Sequence, residues 1–217
     1  MLLAFDYDGV IVDSLEQLLS LAIQVQKELN VGRIPIKEDF QIIENLTFED
    51  IARFIDIPEE KIPFFTKRIF GLLAKNWDAG VFPDIVSVFE KLSLDNTLLV
   101  ISASETETVT DTLHSFGLNS LISAVSGGDL GLSKAERISK AMNDFGAKPD
   151  ETFMIGDAIS DIRQGKLAGV STIAVSWGFQ KRSLLEVETP DFIADKPSDL
   201  LQIVANKKNS GVLNDRE

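Results

Sequence analysis

The run Leu2-Leu3-Ala4-Phe5, broken off at Asp6-Tyr7-Asp8-Gly9, limits the folds open to this chain more than any other feature. A continuous apolar run bounded by turn residues does not read as a strand with one wet face. It reads as a strand buried on both sides. Such strands belong to parallel sheets, whose crossover connections lay helices over each face. Similar runs recur at Thr97–Ile101, Thr152–Ile155 and Thr172–Val175, with a weaker one at Leu121–Val125. Segments of helical period lie between them. Asp84–Leu92 puts Ile85, Val88, Phe89 and Leu92 on one face. Glu105–Phe116 follows Ser104, a good N-cap, and runs into Gly117; Ser133–Phe145 ends at Gly146, and Ile159–Leu167 stops just before Gly169. The alternation predicts an α/β fold built on a parallel sheet with helices on both faces.

From Ser14 to about Gly80 the alternation stops. This stretch holds no convincing strand but three amphipathic segments, Leu15–Leu29, Thr47–Ile55 and Glu59–Asn76, with a cap-like Thr47-x-x-Asp50. It reads as a small all-helical domain inserted after the first strand, joined by linkers around Asp13–Leu15 and Asp78–Phe82. The expected division is therefore residues 1–14 and 81–205 for the α/β core, 15–80 for the helical insertion, and a polar, disordered tail at 206–217.

Charge and composition then remove whole classes of function. With 21 Lys+Arg against 34 Asp+Glu the chain carries a formal −13, so no basic face is available for nucleic acid or an anionic membrane surface. There is no cysteine, which excludes disulfides, thiolate nucleophiles, iron–sulfur clusters and sulfur-bound zinc. His114 is the only histidine, too few for a multi-histidine metal site, and reads as an ordinary surface or boundary residue. The N-terminus lacks a basic n-region, and no apolar stretch reaches the roughly 18–20 residues that span a bilayer. A cytoplasmic protein is expected, with any chemistry resting on carboxylates, hydroxyls and lysines.

In open α/β sheets ligands bind beyond the carboxyl ends of the strands, so the polar residues after each apolar run carry the information. They are Asp6 and Asp8; Ser102, Ala103 and Ser104; Lys134 at the head of a helix; and Gly156 and Asp157, with Asp161 one turn later. Clustered carboxylates repel one another unless a cation holds them, and Mg²⁺ is the natural partner of an all-oxygen site. Together with Lys134 the metal would neutralise a phosphoryl group. Ser102 and nearby backbone N–H groups suit phosphoryl oxygens, while Asp6 suits a nucleophile that forms an aspartyl-phosphate. Asp8 can protonate the leaving oxygen and then deprotonate the attacking water. Plainer roles stand beside these: strand-end turn residues for Asp6 and Asp8, an N-cap for Ser104, a solvated helix-start lysine for Lys134. Arg33, Lys37 and Arg53 in the insertion read first as solvated charge, and otherwise as binders of a substrate anion. Trp177 and Phe179 read as core or rim packing.

The segment Asp6-Tyr7-Asp8-Gly9-Val10-Ile11-Val12-Asp13-Ser14 resembles the first motif of the haloacid dehalogenase superfamily of phosphohydrolases. Ser102 resembles the second motif, Lys134 the third and Gly156-Asp157-Ala158-Ile159-Ser160-Asp161 the fourth, in the family's order from about Leu2 to Val204. The resemblance implies a Rossmann-like core with a helical cap between motifs one and two. It implies Mg²⁺ held by Asp6, the Asp8 carbonyl and Asp157, supported by Gly9, Gly156 and Asp161, with Ser102, Ala103 and Lys134 on the transferring phosphoryl group. The acid at Asp8 sets the chain apart from the dehalogenase branch. Val175–Phe179 and Thr189–Ile193 are similar to phosphoglycolate phosphatases. The expected protein is a Mg²⁺-dependent phosphatase that hydrolyses a small phosphorylated metabolite through an aspartyl-phosphate, as a monomer or homodimer. Two alternatives remain at this stage. One is a β-phosphoglucomutase-type phosphosugar mutase, since Val10 stands where many phosphatases carry Thr; the other is a phospho-accepting signalling module.

Overall fold

The computed structural model describes residues 1–75 and 78–214, the side chains of 210–214 excepted. Its strands are β1 (Leu2–Phe5), β2 (Thr97–Ile101), β3 (Ala124–Ser126), β4 (Thr152–Gly156), β5 (Ser171–Val175) and β6 (Phe192–Ala194). They form one sheet in the order β3-β2-β1-β4-β5-β6, and every neighbouring pair is parallel. The first strand of the sequence is thus central. Leu3 lies between Leu98 and Phe153.

Helices α1 (Leu15–Leu29), α2 (Lys37–Ile42), α3 (Phe48–Phe54) and α4 (Ile62–Leu73) follow the first strand. The others are α5 (Ile85–Leu92), α6 (Thr106–Ser115), α7 (Lys134–Phe145), α8 (Ile159–Leu167), α9 (Arg182–Val187) and α10 (Asp199–Asn214). Successive side chains of a strand point to opposite faces, and β1 follows that rule. Leu3 and Phe5 pack with Ile85 and Phe89 of α5, Val109 of α6 and Leu200 of α10, while Leu2 and Ala4 pack with Ile138 and Met142 of α7. The rings of Phe5 and Phe89 meet at 4.5 Å.

Helices α1–α4 enclose a cluster of their own, including Ala22, Val25, Phe40, Ile51, Phe65 and Ile69. Its one buried member from the α/β part, among the described residues, is Phe179. The linkers run side by side: Asp13 N donates to Gly80 O at 2.8 Å, and Phe82 N to Ile11 O at 3.0 Å.

Several elements differ from the sequence reading. The third strand is Ala124–Ser126 rather than Leu121–Val125, and β6 is a further strand of only three residues. Thr106 opens α6 with Glu105 at its N-cap, so Ser104 is not the cap; Thr106 N instead donates to Asp129 Oδ1 at 2.8 Å. Glu59–Lys61 is a separate 3₁₀ turn before α4, whose predicted end at Asn76 lies outside the described residues. The predicted tail is helical as far as Asn214, because α10 packs Leu200 and Val204 into the core and Lys208 Nζ reaches Asp95 O at 3.2 Å. Residues 215–217 of that tail lie outside the described residues. Among the described residues no helix is long and apolar enough to cross a membrane.

Candidate active site

The sheet delivers Asp6 to the middle of its carboxyl edge. Asp6 N donates to Ile155 O at 2.8 Å, continuing the β1–β4 ladder by one residue before the chain turns away. A tight loop follows, with Gly9 N on Val12 O (2.9 Å) and Ile11 N on Tyr7 O (3.0 Å). Gly9 sits at φ +78°, where L side chains are strained. A Cβ there would also lie 2.1 Å from Asp157 Oδ2. Gly178 also lies against Asp157, where a Cβ would come within 2.3 Å of its Cβ and 2.6 Å of Gly9 O. At Gly156 a Cβ would strike Asp161 at 2.2 Å. Missing side chains at Gly9 and Gly156, two predicted supporting positions, are therefore what lets the carboxylates of Asp157 and Asp161 come in.

Oxygen atoms of Asp6, Asp157 and Asp161, all buried, lie within 4.8 Å of one another. Lys134, at the first turn of α7, reaches into this group with Nζ 2.9 Å from Asp6 Oδ1 and 2.5 Å from Asp161 Oδ1. Asp157 Oδ2 accepts the Phe179 N–H at 2.6 Å, and Asp161 Oδ2 accepts the Ala158 N–H at 3.1 Å. Burial, reinforced by the Asp161 charge, pushes the Asp6 carboxyl up to about 7. Burial together with the Asp6 and Asp161 charges drives Asp157 well above the ordinary carboxylate range. Burial alone would lower Lys134, but Asp161 and Asp6 outweigh it and hold the ammonium charged. One cation among three buried acids leaves negative charge in excess, and all the donors are hard oxygens. The chemistry of the set fits a Mg²⁺ ion.

The Asp8 side chain stands apart from that trio. Its Oδ1 accepts from Ser14 Oγ at 2.6 Å and its Oδ2 from Ser104 Oγ at 3.3 Å. Burial raises its pKa in spite of those two hydroxyls. Ser102 is fully buried behind the site surface, where its Oγ accepts the Ser104 N–H at 3.0 Å. Ala103 and Ser104 are the residues of that loop which line the cavity, along with Asp6, Asp8, Lys134 and Asp157. The cavity is about 490 Å³ and lies between the sheet edge and the α1–α4 unit.

Sequence reasoning missed four contributors. Ser104, read as a cap, holds Asp8. Ser14, inside the first motif, does the same. Arg137 is buried, and its guanidinium donates to Ser102 O at 2.6 Å and Ser126 O at 2.8 Å, fixing the ends of β2 and β3. Its spacing of one helical turn from Lys134 was the available signal. Phe179 acts through its backbone N–H, which leaves no trace in side-chain chemistry. The remaining singled-out residues lie elsewhere: His114 is exposed, and Trp177 Nε1 donates to Val10 O at 3.2 Å.

Comparison with known proteins bears on this geometry directly. The family described as haloacid dehalogenase-like hydrolase matches residues 3–175. The chain belongs to that family. It is 29% identical over 203 residues to a phosphoglycolate phosphatase of Synechococcus elongatus, covering 92% of this chain and 95% of that one. A pyrophosphatase of Bacillus cereus is 47% identical over a shorter stretch of 75 residues, 35% of each chain. Among solved structures, a haloacid dehalogenase-like hydrolase of Streptococcus pneumoniae superposes with a TM-score of 0.82 at 23% identity, over 93% of this chain and 97% of that one. A protein described as a predicted phosphoglycolate phosphatase from Haemophilus somnus gives 0.78 at 22% identity, over 93% and 96%. Both share the fold, a Rossmann-like parallel sheet with an added helical unit.

Proposed function

We propose that this hydrolase is a Mg²⁺-dependent phosphatase acting on a small phosphorylated metabolite through an aspartyl-phosphate. The observation that carries the reading is the pairing of two kinds of carboxylate at one cavity floor. Asp6 lies in a charged cluster beside Lys134, and Asp8 lies next to it but is held by hydroxyls alone. Two acids in unlike surroundings can take unlike roles. The names of the relatives, a phosphoglycolate phosphatase and a pyrophosphatase, support phosphate transfer as the chemistry.

In the first step Asp6 Oδ attacks phosphorus, the bond to the leaving oxygen breaks, and Asp8 gives that oxygen its proton. In the second, Asp8 takes a proton from water, the water oxygen bonds to phosphorus, and Asp6 leaves as the carboxylate. The raised pKa of Asp8 suits the acid role of the first step. Lys134 attracts the phosphate dianion that the cluster would otherwise repel and keeps Asp6 oriented. Ala103 offers its N–H at the cavity wall, while the Ser104 N–H and hydroxyl go to Ser102 and Asp8 and fix the loop. Asp6, Asp157 and the Asp8 carbonyl would hold the Mg²⁺, with Asp161 in support. Bound there, the ion supplies the positive charge that lets a dianionic substrate sit against carboxylates. The reading takes residues 15–80 as a cap over a core of 1–14 and 81–205, supported by the separate hydrophobic cluster of α1–α4 and the paired linkers.

The test is phosphate release from a panel of phosphomonoesters with Mg²⁺, beside an EDTA control and Asp6→Asn. Activity should vanish in both controls. Turnover that survives Asp6→Asn would overturn the mechanism, and isomerisation of a sugar phosphate without net phosphate release would point to a mutase.

A further inference from the structure

We infer that the leaving group accepted by this site is bulky and largely apolar and carries no anionic substituent; the inference rests on the phosphatase reading above and names its substrate class. The part of the cavity contributed by α1–α4 and their loops is walled by Phe40, Leu46, Phe48, Phe70 and Leu73. The rings of Phe48 and Phe70 meet edge to face, 5.2 Å apart at 84°. Phe70 remains 41% exposed, an apolar surface that water covers until something else does.

The charges on that wall have one sign. The helical unit places Glu49 and Asp50 on the cavity, and among the described lining residues the cations are Lys134 and Arg137 of α7. Both belong to the floor, Lys134 on Asp6 and Asp161 and Arg137 on the carbonyls of Ser102 and Ser126. The three cations of the insertion that the sequence singled out are engaged with acids. Arg33 makes a two-pronged pair with buried Asp39 at 2.7 and 2.9 Å. Lys37 pairs with Glu16 at 2.6 Å, and Arg53 with Asp50 at 3.1 Å and Glu59 at 3.0 Å. A carboxylate or second phosphate on the leaving group would therefore leave water for a wall that offers apolar carbon, Glu49 and an Asp50 whose charge is already paired with Arg53. That transfer is unfavourable without a partner. Asn45 and Thr47, also on the wall, can accept or donate to a neutral polar edge.

Size agrees with chemistry. A cavity of about 490 Å³ falls within the roughly 300–1,000 Å³ that encloses drug-sized ligands. A two-carbon acid such as glycolate would leave most of the apolar wall uncovered, whereas a ring or a branched chain would cover it. The overall likeness to phosphoglycolate phosphatases thus describes the scaffold and the phosphoryl chemistry, while the wall selects a different alcohol.

The experiment uses the full chain with Mg²⁺ and reads kcat/KM for ethyl, benzyl and 2-naphthylmethyl phosphates, whose leaving oxygens are of similar basicity. It adds 4-carboxybenzyl phosphate and 2-phosphoglycolate. From ethyl to naphthylmethyl kcat/KM should rise at least about tenfold, since even one well-buried methylene is worth about that much. The 4-carboxyl group should lower it at least about tenfold relative to benzyl phosphate, and 2-phosphoglycolate should fall below benzyl phosphate. Glu49→Lys should shrink the carboxyl penalty, and Phe48→Ala should shrink the naphthylmethyl-to-ethyl ratio. Should either variant fail to fold, the wild-type series decides. Faster turnover of 2-phosphoglycolate or of the carboxylated ester overturns the inference while leaving the phosphatase reading intact. Release from none of the esters overturns the phosphatase reading, and the inference falls with it.

Discussion

Replacing Asp6 by Asn should stabilise the metal-free protein at pH 8 while abolishing its chemistry. The Asp6 side chain is 13% exposed, and burial, with the Asp161 carboxylate behind it, raises its pKa from an ordinary 3.8 to about 7 against the opposing pull of Lys134 and the Tyr7 N–H. A carboxyl raised on folding binds its proton more tightly in the folded state. Its contribution to stability is then complete below the ordinary pKa and is lost as pH climbs through about 7. A rise of about 3 decades in proton affinity corresponds to roughly 4 kcal/mol at the alkaline limit. Asn cannot ionise, and its Oδ1 can still accept from Lys134 and Tyr7. Some of the gain is returned because Lys134 loses one charged partner, so a net of about 2–4 kcal/mol is expected. In a chain of this size that is a rise of roughly 5–15 °C in melting temperature. Scanning fluorimetry in EDTA at pH 5 and pH 8 is the assay. The variant should already melt somewhat higher at pH 5, which lies above the ordinary 3.8, and the gap should be about twice as large or more at pH 8. A variant that melts lower at pH 8, or a gap of equal size at both pH values, would refute the electrostatic account.

Stabilisation by Mg²⁺ should grow with pH for the same reason, because the ion competes with protons for Asp6 and Asp157; a melting shift larger at pH 5.5 than at pH 8 would contradict it. Gly178→Ala places a Cβ 2.3 Å from the Asp157 Cβ and 2.6 Å from Gly9 O, so the loop must move. It should cost about 1–3 kcal/mol in denaturant unfolding and weaken Mg²⁺ binding measured by calorimetry. Gln180→Leu removes a buried side chain whose Oε1 accepts from Ile159 N at 2.7 Å and whose Nε2 donates to Ile43 O at 2.6 Å. Leaving both groups unpaired should cost about 2–4 kcal/mol, read from the urea midpoint. Asp8→Asn should lower kcat by about 10²–10⁴ with alkyl phosphates, and a smaller loss in the first step is expected with 4-nitrophenyl phosphate, whose leaving group needs no proton. Stopped-flow release of nitrophenol reads that step.

Much of this architecture was legible because its signals are local. Unbroken apolar runs marked β1, β2, β4 and β5, and the acids and lysine that follow them met at one edge, since a parallel sheet sends all its carboxyl ends the same way. What stayed hidden depends on distant partners. Ser104 looks like an N-cap, yet α6 starts one residue later with Glu105 at its N-cap and Asp129, further along the chain, accepting the Thr106 N–H, while the Ser104 hydroxyl goes to Asp8. The short α2 has little helical signal of its own and is fixed by the Arg33–Asp39 pair and the Ile36 N–H on Asp39 Oδ2. β6, three residues long, exists through its register on β5. The role of Phe179 was divided between two levels that a sequence does not join: its ring enters the core of the helical unit while its N–H holds Asp157.

The place of β1 in the sheet also sets an order of events during synthesis. Residues 2–5 leave the ribosome well before their neighbours β2 and β4, which begin only at Thr97 and Thr152. Over that interval the centre of the future sheet has no neighbouring strand to pair with. Helices α1–α4, with a hydrophobic cluster among themselves, are complete by Leu73 and can assemble while β1 waits. The strand is only four residues long, which limits the sticky backbone edge carried through that interval. A nascent chain halted before Thr152 would therefore hold a formed helical unit and an unfinished sheet, and the acid cluster, drawn from both sides of that point, would come into being only once Asp161 has emerged.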